Sequence, residues 1–276
     1  MPDWFRRAAT PEVPEGAFTR CANLKCAAIL YTKDFERDFK VCSKCGHHHR
    51  LTADERIAIT TDEGSFVELD RHSLRAIDFL GFPGYAEKLQ AGEAGDNPRT
   101  DGLVTGVATI GGAACVLAVS DFDWGRLAGT MGSVFGEKFA RAADRALEDK
   151  SALITFCASG GARMQEGLIS LMQMAKTSLC VAQLAQARIP YVVVLTHPST
   201  GGAVASYASL GDVIYAEPGA TVGLSGERVA AQAQSVKPPA NYRTAEFLEE
   251  HGMLDKIVAR RELTLTLAKT LAFLQP

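Results

Sequence analysis

A chain of 276 residues that is 47% hydrophobic and 22% charged carries enough apolar material for a full globular core and none of the bias of a disordered segment. Its net charge is −3, and residues 1–60 hold ten Lys and Arg against eight Asp and Glu, counts in which no large basic surface is evident. No apolar run approaches the ~20 residues that a membrane span needs.

The first segment, Met1 to Thr10, carries Arg6 and Arg7 without an apolar stretch behind them, unlike a secretory signal, and so predicts a reducing, cytoplasmic setting. Four cysteines follow, Cys21, Cys26, Cys42 and Cys45. Two close pairs flanking a fifteen-residue excursion is the spacing in which two hairpin knuckles bring four thiolates round one tetrahedral ion, and zinc is the expected metal. A reducing compartment disfavours disulfides between them. His47, His48 and His49 directly follow the second knuckle, but four thiolates complete a structural site, so they are read as solvated surface groups. The remaining cysteines, Cys115, Cys157 and Cys180, sit in apolar runs and are read as small core residues. Zinc ribbons serve nucleic-acid binders and enzymes alike, and a local basic face on this one would draw on Arg20, Lys25, Lys33, Arg37, Lys40, Lys44 and Arg50, interrupted by Asp34, Glu36 and Asp38.

After the ribbon, Thr52 to Asp62 reads as a short helix with Asp54 and Glu55 in its first turn, and Gly81 to Arg99, rich in Gly, Pro and charge, reads as a linker or mobile loop. Leu103–Ile110 and Ala114–Ser120 are β-type runs separated by Gly111-Gly112, a hairpin signal. A helix is expected over Val134–Asp149, where Phe135, Phe139, Ala142, Ala143, Ala146 and Leu147 form one apolar stripe. A strand at Ala152–Cys157, a long helix from about Arg163 to Ala187 and a strand at Tyr191–Leu195 come next. Val213–Tyr215, Glu246–His251 and a C-terminal helix from near Glu262 continue the alternation, which predicts an α/β domain with parallel strands.

Two strand-to-helix junctions carry the candidate chemistry. Ser159-Gly160-Gly161-Ala162-Arg163 leaves a buried strand and opens a helix, so its glycines present backbone N–H groups at the positive end of a helix dipole. Thr200-Gly201-Gly202-Ala203 repeats the device about forty residues on, ahead of a shorter helix. Such donors suit a developing oxyanion, each contributing ~3 kcal/mol to lowering a barrier, although a lone Gly-Gly step is as a rule a turn or a tight packing site. No GxSxG elbow, GxxxxGK[ST] loop or HExxH helix is present, which removes serine-hydrolase, P-loop and zincin chemistry. His197, near the second junction, reads either as a general base or as a polar loop residue.

At these residues the sequence resembles a known family. SGGARMQEGLISLMQMAK from Ser159, TGGAVASYASLGDVIYAEPGATVGLSGERV from Thr200, VCSKCGHHHR from Val41, MGSVFGEKFARA from Met131 and AEFLEEHGMLD from Ala245 are similar, in order and over roughly Phe18 to Leu274, to the carboxyltransferase β subunit of bacterial-type acetyl-coenzyme A carboxylase. The resemblance implies a crotonase-like fold of repeated ββα turns with an N-terminal four-cysteine zinc ribbon. It implies transfer of a carboxyl group from carboxybiotin, carried on a separate biotin carboxyl carrier protein, to acetyl-CoA, giving malonyl-CoA at the first committed step of fatty acid biosynthesis. An α subunit is implied as partner in an α2β2 assembly, with biotin carboxylase in the full complex.

On that footing Gly160 and Gly161 are expected to hold the thioester enolate oxygen, and Gly201 and Gly202 to serve a second anion or to shape the pocket or the partner interface. Met131, Gly132 and Arg163 are expected to bind substrate, Arg163 toward a CoA phosphate or else in a helix-end ion pair. The expected organisation is a ribbon segment over residues 1–51, a helix and linker region over 52–100, and a crotonase-like carboxyltransferase domain over 101–276. Three departures from the family pattern stand out: four residues between Cys21 and Cys26 where two are usual, His197 in place of Asp, and Glu227 in place of Pro after Gly226. The last two admit propionyl-CoA as an alternative substrate. The alternatives of other classes are a nucleic-acid-binding ribbon protein with a silent α/β body, and a hydratase or isomerase with Glu166 as its acidic group.

Overall fold

The computed structural model describes residue 14 and residues 16–94, 97–224, 238–239 and 241–274. The chain forms two compact units, one ending at His49 and the other beginning at Arg50.

In the first unit, β1 (Phe18–Arg20) and β2 (Ile29–Tyr31) pair antiparallel, Thr19 opposite Leu30, and α1 (Thr32–Arg37) follows directly. A unit this small buries few side chains: Leu30, Phe35, Cys21 and Cys42 form its core, with Cys26 and Ala28 against them. The histidines depart from the expectation of solvated groups. His48 is buried with Nδ1 2.9 Å from the Gly46 carbonyl oxygen, and His49 packs edge-on to Phe35 at 4.7 Å. With so little apolar material available, the imidazole rings are recruited as packing surface.

The second unit is built on one mixed sheet. Its elements run α2 (Ala53–Thr60), β3 (Val67–Leu69), α3 (Tyr85–Glu93), β4 (Leu103–Ile110), β5 (Ala113–Ser120), α4 (Ser133–Asp149), β6 (Ala152–Ser159), α5 (Gly167–Gln186), β7 (Tyr191–Thr200), β8 (Val213–Ala216), β9 (Val222–Gly223), α6 (Ala245–Glu250), β10 (Lys256–Ile257) and α7 (Arg260–Leu274). The sheet order is β10-β8-β7-β6-β5-β4-β3, parallel from β5 to β10 and antiparallel across β3, β4 and β5. The Gly111-Gly112 hairpin accounts for the antiparallel pairing, since two residues cannot carry a crossover. The end of β7 leaves β8 and pairs instead with β9, Ser199 opposite Val222 and Thr200 opposite Gly223.

Alternation along each strand divides the core in two. Val116, Ala118, Leu153, Cys157, Val193 and Leu195 face one side, where Phe135, Phe139, Ala142 and Ala146 of α4 and Cys180, Val181 and Leu184 of α5 cover them. Cys115, Leu117, Val119, Ile154, Phe156, Val192 and Val194 face the other, under Ile57 of α2 and Leu263, Leu267 and Leu271 of α7. Burial pushes the Cys115 thiol up to about 12, which fits a cysteine serving as core. The α2 start carries a full capping box, with Thr52 Oγ1 accepting from Glu55 N and Glu55 Oε2 from Thr52 N. That second face is pinned by a buried triad in which Glu217 accepts from Arg260 Nε and a second Arg260 N–H at 2.8 Å and meets Arg56 at 2.7 Å.

Two stretches differ from the sequence-based expectation. The supposed linker at Gly81–Arg99 contains α3, which is held by tertiary anchors rather than propensity: Tyr85 is fully buried, Gly92 lies so close to Trp124 that a Cβ would come within 2.5 Å of the indole, and Gly125 approaches the Lys88 carbonyl. The stretch Met164–Gln186 passes a test of length and composition for crossing a membrane, as the core helix of a globular domain also can, and Thr177, Cys180, Val181 and Leu184 line the core as in a docked helix.

Candidate active site at two apposed glycine turns

Strands β6 and β7 are neighbours, so the turns that leave their C-terminal ends meet. Their contact is backbone to backbone. A Cβ on Gly161 would lie 2.9 Å from Gly202 N and 3.1 Å from Gly201 Cα, and one on Gly201 would lie 3.1 Å from Gly160 O. Gly161 at φ +107° and Gly201 at φ +64° also occupy conformations that side chains resist. The sequence singled out both pairs, and the structure brings them together.

The N–H groups of three of the four glycines are already bonded within the protein. Gly160 N–H donates to the Ala128 carbonyl at 2.8 Å, Gly161 N–H to Ser159 Oγ at 3.1 Å, and Gly201 N–H to the Gly223 carbonyl at 2.9 Å. The N–H groups of Ala162 and Gly202 find no acceptor among the described residues, and a Cβ on Gly202 would come within 3.2 Å of Ala162 N, so both lie at the apposition. Ala162, Gly201 and Gly202 are half-buried and Gly160 is exposed, which leaves the turns open to a ligand.

Helix dipoles contribute less than the sequence suggested. Between Gly161 and α5 stands a 3₁₀ turn at Met164–Glu166, so the helix begins at Gly167. Beyond Gly202 the expected short helix is a run of turns closed by Ala205 N to Gly201 O at 3.0 Å, followed by a 3₁₀ turn at Tyr207–Ser209. The local device is therefore a pair of turns that present N–H groups.

Met131, Gly132 and Arg163 lie beneath the first turn. Met131 is buried and bridges it, its N–H donating to Gly161 O at 2.8 Å and its carbonyl accepting from Arg163 N at 3.0 Å. Arg163 is 1% exposed, with Nη2 donating to Asp101 Oδ2 at 2.9 Å and to Thr130 O at 2.7 Å and Nη1 donating to Glu166 Oε1 at 3.3 Å. The expected reach toward a CoA phosphate gives way to the ion-pair alternative, since a guanidinium with those partners has no free face. Gly132 supplies room for that pair, as a Cβ there would fall 2.5 Å from Glu166 Oε1. Glu166 itself is 1% exposed and accepts from Ser133 N at 2.6 Å, which makes it the cap of α4 rather than the acidic group of a hydratase. Sequence reasoning missed Asp101 and Tyr85, which no local pattern sets apart.

His197 lies within β7, half-buried, with Nδ1 accepting from Thr221 N at 3.4 Å, so it is a strand residue rather than a loop one. Glu227 lies outside the described residues.

In the first unit, the Sγ atoms of Cys21, Cys26, Cys42 and Cys45 lie within 4.8 Å of one another, with Cys21 to Cys45 at 3.7 Å and Cys26 to Cys42 at 4.0 Å. Zn–S bonds of about 2.3 Å in a tetrahedron place sulfurs about 3.8 Å apart, so the set fits zinc. Burial pushes the Cys21 thiol up to about 12. At Cys42 burial also acts upward but is outweighed by the N–H groups of Lys44 and Cys45 and by the neighbouring thiols, which hold it down to about 7. A divalent cation is what would let all four ionise together.

Likeness to known carboxyl transferases places this mixed sheet, whose adjacent parallel strands end in apposed, donor-bearing glycine turns, among the crotonase-like α/β enzymes of the carboxyl transferase class. The model of the carboxyl transferase domain matches residues 47–241. The chain is 50% identical over 95% of its length to an acetyl-coenzyme A carboxylase carboxyl transferase subunit beta from Desulforamulus reducens, covering 88% of that protein. It is 47% identical over 96% of its length to the subunit of the same name from Thermus thermophilus, covering 91%. Among solved structures, transcarboxylase 12S with methylmalonyl-coenzyme A and methylmalonic acid bound superposes on 81% of the chain at 25% identity and a TM-score of 0.70, the match spanning 41% of that longer chain. A Pseudomonas malonate decarboxylase hetero-tetramer with malonate matches 81% of the chain and 82% of its own at 25% identity and a TM-score of 0.64. The chain belongs to the family of acetyl-coenzyme A carboxylase carboxyl transferase beta subunits.

Proposed function

We propose that this chain supplies one wall of a site that transfers a carboxyl group from carboxybiotin, presented on a separate carrier protein, to the methyl carbon of acetyl-CoA. The observation that carries the reading is the pair of unbonded N–H groups, Ala162 and Gly202, at the apposed turns. Loss of a methyl proton places negative charge on the thioester oxygen, and Ala162 N–H, held in a turn that cannot relax, is positioned to receive it; one such donor contributes about 3 kcal/mol. Gly202 N–H is assigned to the second anion of the exchange. The glycines serve by allowing the turns to touch, and the donors are their neighbours.

A partner carrying the opposite wall is part of the proposal. Leu168, Leu171, Met172 and Leu179 on the outer face of α5, with Met164 on the turn before it, are 52–73% exposed, and Leu80 reaches Gly167 from a second exposed apolar group with Ile77 and Phe79. An apolar face of this extent beside a catalytic turn fits a subunit interface, and the relatives' name, subunit beta, points to an α subunit as the occupant. Cys21, Cys26, Cys42 and Cys45 would hold zinc, whose contribution there is structural, since four thiolates leave no open coordination position.

The test is reconstitution with the α subunit and assay in the reverse direction, with malonyl-CoA and a biotin derivative as substrates. The pair is expected to be active and each subunit alone inert. Inactivity of the pair, or nucleic-acid binding that falls steeply with salt as the sole activity found, overturns the proposal.

A further inference from the structure

We propose that Tyr85 is a positioning residue for carboxyl transfer, acting through Glu166 and Arg163 on the Gly160–Ala162 turn. The inference rests on the reading of that turn as an oxyanion site. Tyr85 lies on α3, in the stretch that composition marks as a linker, yet its side chain is fully buried and its hydroxyl donates to Glu166 Oε1 at 2.5 Å. An Arg163 N–H reaches the same hydroxyl at 3.3 Å. Burial together with the Glu166 carboxylate pushes the phenol well above its ordinary value, so it stays a neutral donor.

Glu166 connects three elements. Its Oε2 caps α4 through Ser133 N, and its Oε1 takes both Tyr85 and Arg163. Arg163 in turn grips the strap before α4, through Thr130 O, and the loop before β4, through Asp101. That strap is the segment paired with the turn: Ala128 O accepts from Gly160 N, Met131 N donates to Gly161 O, and Met131 O accepts from Arg163 N. Position therefore passes from Tyr85 to Glu166 and Arg163, from them to the strap, and from the strap to the peptide planes that aim Ala162 N–H. Gly132 makes the arrangement sterically feasible, since any side chain there would occupy the space of the Glu166 and Arg163 head groups. With the first turn pressed on Gly201 and Gly202, a shift on the strap side moves one donor relative to the other.

Tyr85→Phe removes one hydroxyl and keeps the ring that fills the cavity. In the complex reconstituted with the α subunit, kcat is expected to fall about tenfold or more with KM for the acyl-CoA within twofold, because ground-state contacts remain while the donor is misaimed. Independently of turnover, hydrogen exchange of amides 159–163 is expected to quicken by about tenfold while α7 and the sheet centre keep their protection. Glu166→Gln, which keeps the shape but no longer balances Arg163, is expected to change both readouts in the same direction. Unchanged exchange at 159–163 in Tyr85→Phe, or a kcat loss matched by faster exchange throughout the second unit, overturns the proposal. Faster local exchange alongside a wild-type complex that transfers no carboxyl group leaves the mechanical coupling standing and removes the oxyanion reading on which its catalytic role rests.

Discussion

Replacing Gly161 by Ala tests the catalytic geometry most directly. The residue sits at φ +107°, where a side chain costs about 1–3 kcal/mol. The new methyl would stand 2.9 Å from Gly202 N, 3.1 Å from Gly201 Cα and 3.3 Å from Thr200 O, against comfortable contacts of about 3.5–4.0 Å. All three neighbours are backbone, so relief requires the turns to part by roughly half an ångström or more. Misplacement on that scale, at a site built on a donor worth about 3 kcal/mol, is expected to lower kcat about 100-fold with KM changed less than threefold. Gly160→Ala is the control: its φ is not positive and its nearest contact, Ala128 O, lies at 3.3 Å, so its kcat is expected within about fivefold of wild type. Steady-state kinetics of the reconstituted complex in the malonyl-CoA direction measure both. A Gly161→Ala enzyme within threefold of wild type, or equal damage from the two substitutions, refutes the reasoning.

Chelating zinc is expected to leave the first unit with a core of little more than Leu30 and Phe35 and to abolish amide protection across Cys21–Cys45, measurable by hydrogen exchange; retained protection in metal-free protein contradicts a structural zinc. Glu217→Gln removes the carboxylate charge that faces two buried guanidinium groups, and breaking such a set costs about 3–5 kcal/mol, read as a drop of roughly 6–20 °C in calorimetric Tm. Asp54 has its carboxyl held below the ordinary 3.8, first by its hydrogen bonds from Arg99. A depressed folded value means that its contribution is present above the unfolded pKa and lost as the pH falls through the folded one. Asp54→Asn is therefore expected to flatten the acid limb of denaturant stability below about pH 4 and to lower stability at pH 7.

Several features were legible in the sequence because they are local. The β-type runs Leu103–Ile110 and Ala114–Ser120 with Gly-Gly between them specify a hairpin, because so short a link can only reverse the chain, and the Phe135, Phe139, Ala142, Ala146 stripe specifies α4, because it states which side must be buried. Cysteine spacing likewise singles out four thiols that could hold a metal before any fold is known, since thiolate chemistry is tied to residue type. The two glycine pairs could be flagged in the same way.

Tertiary structure decided what those glycines touch. Only the adjacency of β6 and β7 brings the two turns into contact, and only the strap from Ala128 to Gly132 takes up the Gly160 N–H and thereby leaves Ala162 as a donor. A sequence cannot display that accounting, because hydrogen-bond partners thirty to forty residues apart are chosen by packing. The same holds for α3, whose Gly-rich composition reads as a loop until Tyr85 and Gly92 meet Glu166 and Trp124, and for Arg163, whose charge suggests a phosphate until Asp101 and Glu166 close round it. Residue types determined the inventory of this site, and long-range burial determined which groups in it remain free to act.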